Sequence, residues 1–482
     1  MAPMVRRFAL LATVILTLAP GAPGPLSAQT SVTVQEALLR AKPAVVLVIA
    51  EVSAEVTLNC GGGPTTVTPP VFRETGTGWF VDGRGWIITN GHVVQPAHTP
   101  PRWLVNQQAQ RAVTTACLAK VLQRQGITPG ERPDVEDAVK RRLLDQVLPT
   151  TKVKLNPQVS VVISSGARFK AEVKKYSPPV SNEPGVMSGR DLALLLIPGA
   201  EFPVLPLADS KVGRIGDPIH ILGFPGVVLS HELLNKSASV EASVTNGAVS
   251  GFKQDVTNQP VIQTDAPAAW GNSGGPAVDQ KGAVLGVLTF VSLAPGPEGS
   301  IVQGFNFVIP SDAVREFVKG TEVKIEGKSK FTEAWFRGLR EFFSEDWKAA
   351  ARHFEAADKL VPNLPDVKRV LGEARENIKN PPPRPFPWFW VAVGVTLLSG
   401  AGYGGQFGLR WHRNRYRIQP SEVIRMLEAG KAPIVLDVRR TEVYEALPLK
   451  IPNSVRLAPE ELASGVSGLE LDTNRPVVAY CT

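Results

Sequence analysis

Three residues of this chain are of the types, and in the settings, that acyl-transfer chemistry needs: Ser273 inside Gly271-Asn272-Ser273-Gly274-Gly275-Pro276, His92, and Asp191 at the head of an apolar run. A serine hydroxyl attacks a carbonyl when its Oγ is exposed, a base takes its proton, and backbone N–H groups face the oxygen that becomes negative. Glycines on both sides of Ser273 let the backbone crowd that point, and the N–H groups of Gly271 and Ser273 are the candidate oxyanion hole. Standing alone the hexapeptide would read as an ordinary glycine-rich hairpin turn. His92 gives it a partner. Residues 76–81 read as a strand, Asp82-Gly83-Arg84-Gly85 as its turn, and residues 86–94 as a second strand that carries the histidine. Of the six histidines, this one alone has a context that suits a general base. Asp191 precedes Leu192-Ala193-Leu194-Leu195-Leu196, where a carboxylate could hold the imidazole in the tautomer that accepts the serine proton.

The chain order His92, Asp191, Ser273 is that of chymotrypsin-like enzymes, and differs from the orders of subtilisins and α/β-hydrolases. With Thr89-Asn90-Gly91-His92-Val93-Val94, the serine motif and the closing Gly304-Phe305-Asn306-Phe307-Val308-Ile309-Pro310, residues 32–318 resemble the HtrA (Deg) branch of the trypsin-like serine peptidases. The resemblance implies a double six-stranded β-barrel with the triad in the cleft, and ATP-independent endoproteolysis of unfolded or peptide substrates, with no cofactor, metal or nucleotide. It also implies a substrate pocket lined by Phe305, Asn306, Phe307 and Trp270 and suited to a small or medium apolar side chain. Asp265, in a Thr-Asp-Ala run before the serine, is expected to support the loop without setting specificity. Two features depart from the family. Residues 96–151 form an insertion after the histidine, and Val135, Val139, Leu143 and Val147 space one amphipathic helix in it, a surface element or a lid. No β pattern of a PDZ domain follows Pro310.

The flanking segments predict a chain of several units. Its 482 residues, 43% hydrophobic and 20% charged, are globular in composition, and a net charge of +8 without aromatic-and-basic motifs gives no reason to invoke nucleic acid. Arg6-Arg7, the apolar run 8–19 and Leu26-Ser27-Ala28 read as a signal peptide over 1–28. Export would permit a disulfide between Cys60 and Cys117, with two free thiols the open alternative. Gly338, Trp347, Ala350, Phe354, Ala357 and Pro362 space one tetratricopeptide-like helix pair, with a third helix behind it, over 330–379; one such unit must pack on the barrels, on that helix or on a protein partner. A proline-rich linker, 380–387, leads to an uncharged run, 388–409, expected to cross a membrane once, with Arg410, Arg413, Arg415 and Arg417 placing the carboxy terminus in the cytoplasm and the protease outside it. Gly400, Gly404 and Gly408 could bring two such helices together as a homo-oligomer.

Residues 418–482 carry a second resemblance, to rhodanese domains, through Pro433-Ile434-Val435-Leu436-Asp437-Val438-Arg439 and Pro476-Val477-Val478-Ala479-Tyr480-Cys481. It implies an α/β fold with Cys481 as a persulfide site, truncated and inactive as given because no loop follows the cysteine; a fragment of a longer protein is the favoured explanation. The fold class expected for the whole is therefore multidomain: an all-β chymotrypsin-like double barrel, a small α-helical repeat, one transmembrane helix and a partial α/β rhodanese-like domain. The functions to be weighed are a membrane-anchored extracytoplasmic serine endopeptidase, a noncatalytic sensor or scaffold with a protease-like fold, and a sulfurtransferase-linked membrane protein.

Overall fold

The computed structural model describes residues 32–181, 185–211, 213–235, 240–293, 301–325, 328–383, 386–463, 471–472 and 474–481. The expected signal peptide lies outside the described residues. Two compact units divide the chain, Met1–Pro382 and Pro383–Thr482.

The first unit opens with α1 (Val34–Ala41), whose first turn is capped by Thr33 Oγ1 accepting from Glu36 N at 3.1 Å. Strands β1 (Val45–Asn59), β2 (Pro64–Val67), β3 (Phe72–Asp82) and β4 (Trp86–Thr89) follow. Next come helices α2 (Gly91–His98), α3 (Arg102–Val113), α4 (Ala119–Arg124) and α5 (Pro133–Val147), and then β5 (Lys152–Val162), β6 (Arg168–Ser177) and β7 (Leu192–Leu196). The sheet order β2-β1-β3-β4-β7-β6-β5 is closed by β1 pairing β5, which makes a six-stranded barrel with β2 as an outer hairpin arm. Apolar residues on both faces of β1 explain its position. Val46, Val48, Ala50 and Val52 enter one core and Val45, Leu47 and Ile49 another, so the period of two sends alternate side chains to opposite sides. Strands β8 (Pro218–Gly223), β9 (Ser243–Gln254), β10 (Pro260–Thr264), β11 (Pro276–Val278), β12 (Val284–Leu293) and β13 (Ile301–Pro310) close a second barrel in the order β10-β13-β12-β11-β8-β9. The odd-numbered face of β1 shares its core with Leu222, Phe224, Val287 and Ile309 of that barrel, and this core joins the two.

Two local expectations need correction. The segment 86–94 is not one strand: β4 stops at Thr89, and α2 begins at Gly91, so His92 stands in the first turn of a helix. The buried Asn90 side chain donates to Asp191 O at 2.8 Å, which draws the chain out of the ladder. The insertion also holds more than the helix predicted for it. Leu143 and Val147 of α5 are buried as their spacing requires, but they pack with Ala112, Cys117 and Leu122 of α3, α4 and the turn between, and with Ala54, Val56 and Leu58 of β1. Cys60, at the tip of the β1–β2 arm, is bonded to Cys117 across 57 residues of sequence. The insertion is thus a small helical core fastened to the barrel at its foot and its tip.

Helix α6 (Ser311–Val318) closes the second barrel, and α7 (Lys330–Phe343), α8 (Trp347–Leu360) and α9 (Pro365–Lys379) form the expected helical segment. Ser329 and Asp346 cap α7 and α8 through their side-chain oxygens. A Cβ on Gly338 would meet the Phe354 ring at 2.6 Å, so a glycine is what lets α7 and α8 approach this closely. Phe331, Trp335, Leu339 and Phe354 belong to the same core as Phe80, Ile87 and Phe202 of the first barrel. Trp335 Nε1 donates to Leu39 O at 2.8 Å, and Val204 N donates to Thr332 Oγ1 at 2.9 Å. The apolar face of this segment is therefore covered by the barrel and α1.

The second unit contains α10 (Trp388–Asn414), which replaces the predicted membrane span. Among the described residues no helix is long and apolar enough to cross a membrane. The 27 residues of α10 would extend about 40 Å, so the shortfall lies in apolar content. Gly394, Gly400, Gly402, Gly404, Gly405 and Gly408, with Thr396, Ser399 and Gln406, dilute the valines and leucines. Beyond it, α11 (Pro420–Glu428), β14 (Ile434–Asp437), α12 (Thr441–Ala446), β15 (Val455–Arg456) and β16 (Val477–Tyr480) build a three-stranded parallel sheet in the order β15-β14-β16. Asp437 in its centre is buried, pairs with Arg439 at 2.7 Å and accepts from Tyr480 Oη at 2.6 Å. Cys481 is exposed directly after β16.

Candidate active site

The three residues singled out for acyl transfer come from different elements. His92 is held by the first turn of α2, Asp191 by the entry to β7, and Ser273 by the turn before β11. Asp191 Oδ2 lies 2.8 Å from His92 Nδ1, and Asp191 Oδ1 accepts from His92 N at 2.8 Å, so one carboxylate fixes both ring and backbone. An ionised carboxylate only accepts, so Nδ1 carries the hydrogen and Nε2 keeps its lone pair for a proton. Asp191 is 3% exposed and adopts φ +51°, a left-handed conformation that costs about 1–3 kcal/mol for a non-glycine residue. Its neighbours hold it there: its own N–H donates to Pro178 O at 2.9 Å and its carbonyl accepts from Asn90.

Thr289 is the residue that sequence reasoning missed. Its Oγ1 donates to Asp191 Oδ2 at 2.6 Å, and its carbonyl receives a long 3.4 Å contact from Ser273 Oγ. The one available signal was a polar residue, here 2% exposed, inside the apolar run of β12. No hydrogen bond joins Ser273 Oγ to His92; the hydroxyl must leave Thr289 O to give its proton to Nε2.

The nucleophile turn is clamped between the barrels. Thr77 N donates to Ser273 O at 2.8 Å and Thr77 Oγ1 to Gly271 O at 2.7 Å, while Gly274 N donates to Leu288 O at 2.8 Å. Gly274 has φ +85°, and a Cβ there would lie 2.1 Å from Thr77 O, so no other residue fits. The carbonyl of Trp270 accepts from Gly226 N at 2.6 Å. In a trans peptide the next N–H points the opposite way, so Gly271 N–H is turned from Gly226. Neither Gly271 N nor Ser273 N has a hydrogen-bond partner among the described residues, which leaves both free for an oxyanion.

Burial alone would lower the His92 pKa, but the charge and hydrogen bond of Asp191 and the charge of Glu74 outweigh it, and it is raised above the usual 6.5. Glu74, half-buried on β3, is itself pushed up by burial against the opposing pull of His92. Burial and the Asp191 charge push the Tyr176 phenol up to about 12.

Beside His92 and Asp191 opens a cavity of about 610 Å3, walled by Val180, Val256, Val261 and Phe307 on the apolar side and by Ser181, Gln254, Asp255 and Thr289 on the polar side. Of the four residues assigned to the substrate pocket, Phe307 lines this cavity. Trp270 and Phe305 are exposed, and Asn306 is fully buried, with Nδ2 donating to Ala266 O at 2.7 Å. Asn306 thus braces the loop before the nucleophile and offers no open surface. Asp265 Oδ1 accepts from Ala248 N at 2.6 Å, a loop contact. The described residues hold no cluster of groups suited to a metal ion.

Residues 76–287 match the trypsin-like peptidase domain family. The chain is 33% identical over 192 residues to mouse serine protease HTRA4, covering 38% of this chain and 33% of that protein. It is 31% identical over 175 residues to bovine mitochondrial serine protease HTRA2, covering 35% and 31%, and 30% identical over 141 residues to a probable periplasmic DegP-like serine endoprotease of Pseudomonas putida (strain GB-1), covering 29% and 26%. The chain thus spans about a third or less of the length of these relatives. A solved HtrA-type protease, AlgW with tripeptide, aligns at a TM-score of 0.34 and 21% identity over 59% of this chain and 62% of its own. With two six-stranded barrels and the matched segment spanning His92, Asp191 and Ser273, the chain carries a trypsin-like peptidase domain whose homologues are HtrA serine proteases.

Proposed function

We propose that the chain is a serine endopeptidase of the HtrA type that cleaves unfolded or exposed polypeptide segments outside the cytoplasm. The observation that carries this reading is the two-point hold of Asp191 on His92, which orients Nε2 as a base, in a domain whose serine turn keeps two N–H groups unpaired. His92 Nε2 takes the proton of Ser273 as Oγ attacks the scissile carbonyl, and the oxyanion is received by Gly271 N–H and Ser273 N–H. Collapse passes that proton to the departing amine, and water, deprotonated by the same nitrogen, hydrolyses the acyl-enzyme. Asp191 stabilises the imidazolium without taking its proton, and the Thr289 hydroxyl holds Asp191 in place.

Two observations bear on substrate and place. Val180, Val256, Val261 and Phe307 in the cavity beside His92, with exposed Trp270 next to the nucleophile turn, offer contacts to an apolar side chain, and Gln254 and Asp255 add polar groups to the same wall. The Cys60–Cys117 disulfide favours an oxidising compartment. The test is hydrolysis of a reduced and alkylated protein by the full chain. Peptide bonds should be cut by the wild type and not by Ser273→Ala; equal activity in the two would remove the assignment.

A further inference from the structure

The acyl-transfer steps leave one charged neighbour of His92 without a task. Glu74 lies half-buried on β3 and makes no hydrogen bond or ion pair among the described residues. The cation next to it in sequence is taken, since Arg73 pairs with Glu51 at 2.6 Å. Burial pushes the Glu74 carboxyl up, and the charge that opposes this is His92. A carboxylate partly stripped of water and lacking a counter-ion is relieved by a cation brought to it.

The strand fixes which way Glu74 faces. A Cβ on Gly76, two residues on, would meet the Val93 side chain at 2.5 Å and Ser273 O at 3.1 Å. Side chains two apart on a strand share a face, so Glu74 and then Phe72 continue from Gly76 in one row that leads away from the nucleophile. Strand β4 pairs with β3 from Gly78 onward, so residues 72–76 are paired with β1 and have no strand on the opposite edge among the described residues. At the far end of the row Phe72 meets Trp103 of α3, their ring centroids 5.6 Å apart, and Trp103 is 52% exposed. Trp103 is the contribution of the insertion to this row.

Chemistry decides which half of a substrate runs there. The acyl half stays bonded to Ser273 of the second barrel, beside the cavity that Val256, Val261 and Phe307 wall and to which Glu74 does not belong. The amine departs with a proton from His92, so the leaving half lies on the side of the first barrel, where β3 offers Glu74 and then the two aromatic rings.

We propose that this row reads the leaving half of the substrate: Glu74 takes a Lys or Arg among its first two residues, and Phe72 with Trp103 takes an apolar side chain two residues further on. The spacing is that of an extended chain, about 7 Å for two residues. The proposal rests on the peptidase reading and adds a substrate class to it. It also gives the insertion after His92 a part in substrate choice.

The test begins with the full chain cutting a reduced and alkylated protein mixture, the cut sites being mapped by mass spectrometry. Lys and Arg should be enriched in the first two positions after the cut, and Glu74→Gln should lose that enrichment. Two quenched peptides built on one such site, with Arg or its neutral isostere citrulline after the cut, separate charge from size. At a pH above the acid limb, where the His92 charge no longer enters, kcat/KM should favour Arg about tenfold in the wild type and not at all in Glu74→Gln. Trp103→Ala should lower kcat/KM about fivefold for a peptide with Leu two residues beyond the Arg, and leave a peptide with Gly there unaffected. An Arg preference that survives Glu74→Gln, or basic residues enriched before the cut instead of after it, would overturn the proposal. A binding measurement needs no turnover. In the chain with Ser273→Ala, the Arg peptide should bind about tenfold more tightly than the citrulline peptide, and Glu74→Gln should make the two equal. A wild type that cuts nothing would sink the peptidase reading, and equal binding of the two peptides with Glu74 in place would sink this inference.

Discussion

Asp191 is held at both carboxylate oxygens, by His92 N on one and by His92 Nδ1 and Thr289 Oγ1 on the other, so its three partners should be unequal in weight. Asp191→Asn keeps the shape but presents an N–H where an acceptor is needed, and turnover should fall by about 10⁴ with thermal unfolding little changed. Thr289→Val removes one donor to a buried carboxylate and should cost about 1–3 kcal/mol in kcat/KM, roughly ten- to a hundredfold. The pH profile gives a separate reading of the same site. His92 acts as a base when neutral, and its pKa is raised, so activity should fall as pH drops through a value above the usual 6.5. Glu74 is one source of that rise, and Glu74→Gln should move the acid limb to lower pH. An unmoved limb would mean that the Glu74 charge does not reach the ring. The order of His92, Asp191 and Ser273 was legible because each sits in a short motif whose residue types the chemistry demands. Thr289 was not, since a threonine in a strand is what β propensity alone would supply.

At the scale of elements, local pattern told which faces are apolar and left open what covers them. The i, i+4 spacing of α5 was readable, yet the partners of Leu143 and Val147 lie on β1, distant in sequence. The pairing of Cys60 with Cys117 likewise depends on the long β1–β2 arm, whose reach no motif reveals. Cys117→Ser should lower the stability of the insertion by about 2–4 kcal/mol, seen as earlier hydrogen exchange in α3–α5 while β7 and β12 stay protected. The helix pair α7–α8 was readable from its small and aromatic positions, and its docking on the first barrel was not. Trp335→Ala should destabilise the barrel as well as the helices, by about 3–5 kcal/mol in a single thermal transition. Two separate transitions, with only one shifted, would show the helices to be an independent module. His92 was misread as a strand residue because residues 86–94 have β-like composition, while the capture of Asn90 by Asp191 is a contact between segments a hundred residues apart.

Across the whole molecule, the protease-like barrels and α7–α9 share one compact unit, and the segment from Pro383 onward forms another. A chain ended after Pro382 should keep its activity, whereas one ended at Ile325 should lose its fold, because Phe331, Trp335 and Phe354 belong to the barrel core. The second unit shows the limit of reading hydropathy by eye: a charge-free run flanked by arginines suggested a membrane span, and its glycines lower the apolar content below what crossing requires. The central claim concerns Ser273, and its most direct test is labelling of the purified full chain with a peptidyl phosphonate, followed by mass mapping of the adduct. A single adduct on Ser273 that is lost in both Ser273→Ala and His92→Ala is the predicted result. A folded wild-type chain that takes up no phosphonate, or takes it up elsewhere, would contradict the account.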